Sequence, residues 1–388
     1  MSEDAVVPFR IEIPQTDVDT LRRRLAETRW SPPLAGADDW SRGVPVPYLR
    51  ELAEYWRNGF DWRVWEARLN RHPQFTTTID GVRIHFIHAR SPRADAIPLL
   101  LLHGWPGSVV EFLGIIDELA DPADAQAPAF HVVAPSLPGY GFSGIPTEPG
   151  WGSERIADAL AELMTRIGYD RFGVQGGDLG AIIGPVIGRQ HPERTIAIHA
   201  NAATQGFVVA DLNDPGCAAL GERDAERARR WAEFSVLGSG YMLEQSTRPQ
   251  TLAHLLHDSP VGQLAWIVEK FKEWTFPADG APHEAVDRDQ LLANVSVYWF
   301  TGTGGSAANL YAEMLGTWFP YPPASPVPTG VAVFAEDFAV RSFAERSHTI
   351  VRWTDFDFGG HFAAMEVPEA LLADIRRFFA DVVAAKPA

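Results

Sequence analysis

The sequence predicts an α/β protein, a mostly parallel sheet with helices on both faces, and three observations point there. Short apolar runs alternate with helix-patterned segments from residue 97 to residue 200. Over residues 204–326 strand signals vanish and the texture turns helical. From residue 327 the alternation resumes and continues to the last helix. A chain that alternates in this way buries each strand between helical layers, which is the parallel-sheet solution.

The elements follow in order. Residues 1–92 stand apart, rich in Trp, Arg and Pro. Val18 to Thr28 has helical spacing, a cap-like Thr16-Asp17 start and a Ser31-Pro32-Pro33 stop. Phe75 to His88 reads as two strands around an Asp80-Gly81 turn, a dipeptide that tolerates the positive φ of a tight hairpin. The alternating region then gives a buried strand at Ile97–Leu102, a helix over Val109–Leu119 and a strand at Phe130–Ala134. Next come an amphipathic helix at Glu154–Ile167, a strand at Phe172–Gln175, a helix from Ala181 and a strand at Thr195–Ala200. After the helical stretch, strands are expected at Val331–Phe334 and Thr349–Trp353 and a helix over Pro368–Val382. Residues 93–203 and 327–388 are thus two parts of one core, interrupted by 204–326. Such sheets bind ligands at the carboxyl ends of their strands, so the insertion reads as a lid there, with an ordinary helical subdomain as the alternative.

Composition narrows the function classes. The 388 residues are 46% hydrophobic and 21% charged, the balance of a globular chain that can bury a large core. No apolar run approaches the roughly 20 residues that span a bilayer; the longest is Ile97–Leu102. Met1 to Pro8 has two acidic residues and neither a basic cluster nor an apolar stretch, so a soluble, cytoplasmic protein is expected. A formal charge of −17 repels phosphate backbones and anionic membranes, so neither nucleic acid nor a membrane is an expected partner. The lone Cys217 forms no intramolecular disulfide and no cysteine metal cluster.

Three motifs carry chemistry. Gly176-Gly177-Asp178-Leu179-Gly180 lies between a strand and a helix, with small residues two before and two after Asp178. That is the spacing of a nucleophile elbow, with Asp where many hydrolases have Ser; a glycine-rich turn with a capping Asp is the bland alternative. His103-Gly104-Trp105-Pro106-Gly107-Ser108 follows the Ile97 strand, where a turn aims the Trp105 amide, joined by that of Leu179, at a developing oxyanion. His103 itself reads as structural. Phe358-Gly359-Gly360-His361-Phe362 follows the last strand and offers a base. Asp337 and Glu336 follow the Val331–Phe334 strand, so Asp178, Asp337 and His361 keep the order nucleophile, acid, histidine. Asp355 and Asp357 lie less suitably close to His361. His85 and His88 face opposite sides of a strand, and His254 with His257 lacks a carboxylate that would complete a metal site.

At these residues the chain resembles the microsomal-type (juvenile-hormone-type) epoxide hydrolases of the α/β-hydrolase superfamily. The likeness includes Pro8-Phe9-Arg10-Ile11-Glu12, Tyr55 to Trp62, the His103 motif, Pro138-Gly-Tyr-Gly-Phe-Ser, Asp258-Ser-Pro-Val-Gly, Tyr298-Trp-Phe-Thr-Gly-Thr and Gly359 to Glu369. The resemblance implies an α/β-hydrolase fold in which residues 1–92 pack on core and lid. It places the nucleophile on Asp178, the base on His361 and the acid on Asp337. The family usually has Pro where Ala335 stands, and its members differ between Glu and Asp at the acid, so Glu336 stays open. Two epoxide-activating lid tyrosines fall on Tyr241 and Tyr311. Membrane-bound members carry an anchor helix that is lacking here, which suggests the soluble bacterial form.

The residue types suit epoxide opening. An epoxide carbon is saturated, so Asp178 must displace at it, forming an alkyl-enzyme ester that water can then attack. His361 deprotonates that water and Asp337 orients the imidazole. The tyrosines supply the proton that an alkoxide leaving group needs. No metal or organic cofactor is required. A haloalkane dehalogenase shares the Asp nucleophile but commonly has Trp directly after it, where this chain has Leu179. A non-catalytic ligand-binding member of the fold would typically have lost the histidine or the acid. Trp105, Trp231, Phe234, Trp266 and Trp299 are candidates for an aromatic pocket, with packing in the lid core as the alternative. Relatives without an anchor include enzymes of antibiotic biosynthesis, so a hydrophobic or aryl epoxide from secondary metabolism is one expectation. A homodimer is left open.

Overall fold

The computed structural model describes residues 5–33, 36, 39–315 and 323–385; residues 316–322 of the expected lid lie outside the described residues. Among the described residues nine strands form one sheet: β1 (Val7–Phe9), β2 (Gln74–Ile79), β3 (Val82–Ala89), β4 (Ile97–Leu102), β5 (Phe130–Pro135), β6 (Phe172–Gly177), β7 (Thr195–Asn201), β8 (Ser325–Val333) and β9 (His348–Asp355). Their spatial order is β1-β2-β3-β5-β4-β6-β7-β8-β9. The β1/β2, β2/β3 and β3/β5 pairs are antiparallel, and every pair from β5/β4 to β8/β9 is parallel. The sheet is therefore mostly parallel, with an antiparallel flank.

Local chemistry explains the pieces that frame the site. Leu99 to Leu102 in β4 are fully buried, each contributing roughly 1.5–3 kcal/mol by leaving water. The β2–β3 hairpin turns at Asp80 (φ 51°) and Gly81 (φ 78°), so both central residues have the positive φ of a two-residue turn. The expected Val109–Leu119 helix is instead a 3-10 segment, Val109–Gly114, followed by a short helix, Ile116–Ala120. Two β-branched residues at its start and Gly114 inside it weaken a continuous α-helix. Ser108 still caps the segment through the Val110 amide.

Between β7 and β8 the described residues form helices alone, the longest being Glu222–Leu237, Pro260–Trp274 and Arg288–Thr301. Among the described residues the N-terminal segment holds β1, β2 and β3, the antiparallel flank of the sheet, and three helices, Gln15–Ala26, Val46–Asn58 and Trp62–Leu69, which lie between β1 and β2; of these helices the first was expected. The last two were not legible in the sequence. They bind the insertion: Trp56 Nε1 donates to Ser296 Oγ at 2.9 Å, Tyr55 Oη donates to Asp289 at 2.7 Å, and Trp62 packs on Phe300 with ring centroids 4.9 Å apart.

Candidate active site

The carboxyl ends of β4, β6, β7 and β8 meet beneath the helical insertion. β6 ends at Gly177 and the helix Leu179–Gln190 begins two residues later, leaving Asp178 alone to turn the chain. It does so at φ 55° and ψ −117°, a strained conformation for a residue with a side chain. The turn requires close backbone approach: a Cβ on Gly180 would sit 2.3 Å from the Leu102 carbonyl oxygen. Strain held at an elbow lifts the side chain clear of the backbone.

Asp178 is met from the other side by the loop after β4. The Trp105 amide donates to its Oδ1 at 2.9 Å, and the Leu179 amide bonds the same carboxylate. The Trp105-Pro106 peptide is cis. Burial pushes the Asp178 carboxyl up to about 6, while the two amides pull it back toward ionisation. His103 takes no part: it is buried, and its Nε2 accepts from the Leu137 amide at 3.1 Å.

His361 Nε2 lies 3.5 Å from Asp178 Oδ2. Its backbone amide donates to the Trp274 carbonyl at 2.9 Å, and its ring lies on Trp274 with centroids 4.7 Å apart. Burial among these rings pushes the imidazole well below its ordinary value, so it stays neutral and able to accept a proton. Asp337 is buried in the same cavity, its Oδ2 accepting from the amides of Phe334 (2.9 Å) and Ala202 (3.3 Å). Burial pushes it up to about 7 against those bonds and the charges of Arg227 and Arg230. No hydrogen bond or ion pair joins it to His361. Glu336 is engaged elsewhere, by Arg230 at 2.7 Å.

Tyr241 and Tyr311 hang from the insertion over Asp178. Trp105 stacks on Tyr241 at 5.0 Å and 12° and meets Tyr311 edge-on at 6.0 Å. The two phenols are hydrogen-bonded to each other. Burial and the nearby Asp178 charge raise both well above the ordinary phenol value, which keeps them protonated donors. Trp231, Phe234 and Phe338 form an aromatic wall of the same cavity of about 320 Å³, their ring centroids 5.4–5.6 Å apart. Trp105, Trp266 and Trp299, three further pocket candidates, are not lining residues; Trp105 is buried against Tyr241 and Tyr311. Trp266 Nε1 is bonded to Gln245 between helices of the insertion, and Trp299 lies under Arg24 of the N-terminal segment. Trp274 and Phe338 were missed; a lid tryptophan or a loop phenylalanine carries no sequence signal that separates lining from packing.

Among the described residues no helix is long and apolar enough to cross a membrane. The fold and the strained carboxylate turn define the class, and residues 97–238 match the family model of the alpha/beta hydrolase fold. Residues 6–112 match the model described as epoxide hydrolase N terminus. A Stigmatella aurantiaca protein provisionally named an epoxide hydrolase is 44% identical over 383 residues, covering 96% of this chain and 84% of its own. Epoxide hydrolase 1 of Sus scrofa is 36% identical, covering 97% and 89%. The crystal structure of the juvenile hormone epoxide hydrolase from the silkworm Bombyx mori superposes with a TM-score of 0.86 at 31% identity, covering 99% of this chain and 95% of that one. The chain belongs to the epoxide hydrolase family.

Proposed function

We propose that this enzyme opens a hydrophobic, aryl-bearing epoxide to a vicinal diol through a covalent ester on Asp178. The observation that carries the reading is the carboxylate itself. Its Oδ1 is held by the Trp105 amide while its Oδ2 lies 3.5 Å from a neutral imidazole. Oδ2 attacks the epoxide carbon and the carbon–oxygen bond breaks. Tyr241 and Tyr311 both hydrogen-bond the emerging alkoxide, and one of them, Tyr241, gives it its proton. His361 then deprotonates a water that attacks the ester carbonyl, whose oxyanion the Trp105 and Leu179 amides receive.

Asp337 is the acid we assign to His361, since Arg230 already holds Glu336. That assignment requires Asp337 to approach the imidazole as it becomes charged. The division of labour follows: residues 93–203 and 327–388 supply the reacting groups, residues 204–326 supply the lid and its tyrosines, and residues 1–92 hold that lid on the core. The wall of Trp231, Phe234 and Phe338 favours a flat aromatic substituent. An aryl epoxide intermediate of secondary metabolism, such as antibiotic biosynthesis, is a substrate of that shape.

Styrene oxide tests the reading directly. Diol from the wild type and none from Asp178→Ala is the expected result. Equal diol from both proteins overturns the covalent mechanism.

A further inference from the structure

The lid buries an ammonium beside its own tyrosine. Lys270, in the Pro260–Trp274 helix, is 2% exposed, and lysine is among the residues least often buried without a partner. Its Nζ bonds Glu269 Oε1 at 2.8 Å and Glu273 Oε2 at 2.7 Å. The same Nζ lies 4.8 Å from the ring centroid of Tyr241 and 5.9 Å from that of Trp274, within the range of a cation–π contact.

We propose that Lys270 is a positioning residue for ring opening, its ammonium stabilising the negative charge that Tyr241 takes on as it gives its proton to the epoxide oxygen. The inference rests on Tyr241 being that donor. In the step, an Asp178 oxygen bonds to carbon, the carbon–oxygen bond breaks, and the Tyr241 proton moves to the oxygen that leaves. The charge that began on Asp178 ends on the phenolate, and Lys270 neither gains nor loses an atom.

A phenolate spreads its charge into the ring, so a cation on the ring attracts it more strongly than it attracts a neutral phenol. Trp105 fixes the plane of that ring by stacking on it. The two glutamates do not cancel the effect. Their side chains are 29% and 40% exposed, so water screens them in part, whereas the lysine side chain is 3% exposed. Three other groups act on Tyr241. Tyr311 shares its hydrogen bond. Asp178 opposes a phenolate only until the ester removes its charge. Glu273 opposes it throughout, since it lines the cavity, and its bond to Lys270 offsets that opposition.

Single-turnover measurements on the full chain with styrene oxide test the inference. Ester formation is followed by rapid quench and intact mass in a His361→Gln background, where no base removes the ester; ester decay is followed with His361 intact. Lys270→Met is expected to slow ester formation about tenfold or more and to leave ester decay within about twofold. Lys270→Arg should recover most of the loss. In a Tyr241→Phe background, Lys270→Met should add less than about twofold, because its route to the reaction is gone. Wild-type ester formation in Lys270→Met, equal slowing of both steps, or full slowing that persists with Tyr241→Phe would each overturn the inference while leaving Tyr241 as donor. Ester formation undiminished by Tyr241→Phe alone would overturn the donor assignment itself. If Lys270→Met does not fold, Lys270→Gln, whose amide can still donate to both carboxylates but carries no charge, carries the same expectation.

Discussion

Asp178 is held in a setting that costs the fold stability once its carboxyl ionises. Its carboxyl is pushed up to about 6 from an ordinary 3.8, so the folded protein favours the protonated form more than the unfolded chain does. Stability is therefore full below about pH 4, falls as pH rises through about 6, and stays lower above. Asp178→Asn cannot ionise and should be more stable than wild type at pH 8 by about 1–3 kcal/mol. That gain should vanish at pH 4 in urea titrations. Ester formation should fall below about pH 6 as the carboxylate is protonated. His361→Gln should behave differently: displacement needs no base, so the ester should form and persist as a mass adduct on the peptide containing Asp178. The residues of this site were largely legible in sequence because elbow, oxyanion turn and histidine loop are each contiguous. Trp274, Phe338 and Lys270 were not, since their importance comes from what the folded chain sets beside them.

At the scale of elements, the lid helix Glu222–Leu237 is fastened to the core by three arginines on one face. Arg223 pairs with Asp357 at 2.8 Å, Arg227 with Asp355 at 2.7 Å and Arg230 with Glu336 at 2.7 Å. The exposed Arg223 pair contributes little. Arg227 is only 5% exposed, so Arg227→Met should cost about 2–4 kcal/mol and speed amide exchange across the helix. The Arg227 charge also holds the Asp337 carboxyl down, so its loss should move the acid limb of ester hydrolysis to higher pH. Asp355 and Asp357, less preferred as triad acids because they lie close to His361 in sequence, are paired with arginines of this helix. The strands of the parallel core were legible to within two residues, because burial on both faces writes short apolar runs such as Leu99–Leu102; the exception is β8, which begins at Ser325, six residues before the expected Val331, where Pro326 and Pro328 hide the strand signal. The Val109 segment misled because apolar content does not distinguish a 3-10 turn from an α-helix.

Across the whole molecule, the N-terminal segment joins the sheet to the helical insertion: its strands extend the one and its helices pack on the other. The helices Val46–Asn58 and Trp62–Leu69 pack where Pro260–Trp274 and Arg288–Thr301 need cover. They escaped sequence reading because their apolar faces are completed by residues more than 200 positions away. Trp56 is 2% exposed, and Trp56→Ala should cost about 3–5 kcal/mol by cavity formation. Exchange should rise first in Arg288–Thr301, and loosening of the Trp274 carbonyl's hold on His361 should lower activity before global unfolding. Unchanged exchange there would separate the N-terminal segment from the lid.

The unequal treatment of the two oxygens of Asp178 has an isotopic consequence. One is tied to the Trp105 amide and the other faces His361. If the tied oxygen stays in place, only its neighbour departs with each product, and the solvent replaces that atom alone. After many turnovers in heavy-oxygen water, the Asp178 peptide should carry one heavy oxygen and never two. Two would mean that the carboxylate flips between turnovers, and the enzyme would keep no memory of its original atoms.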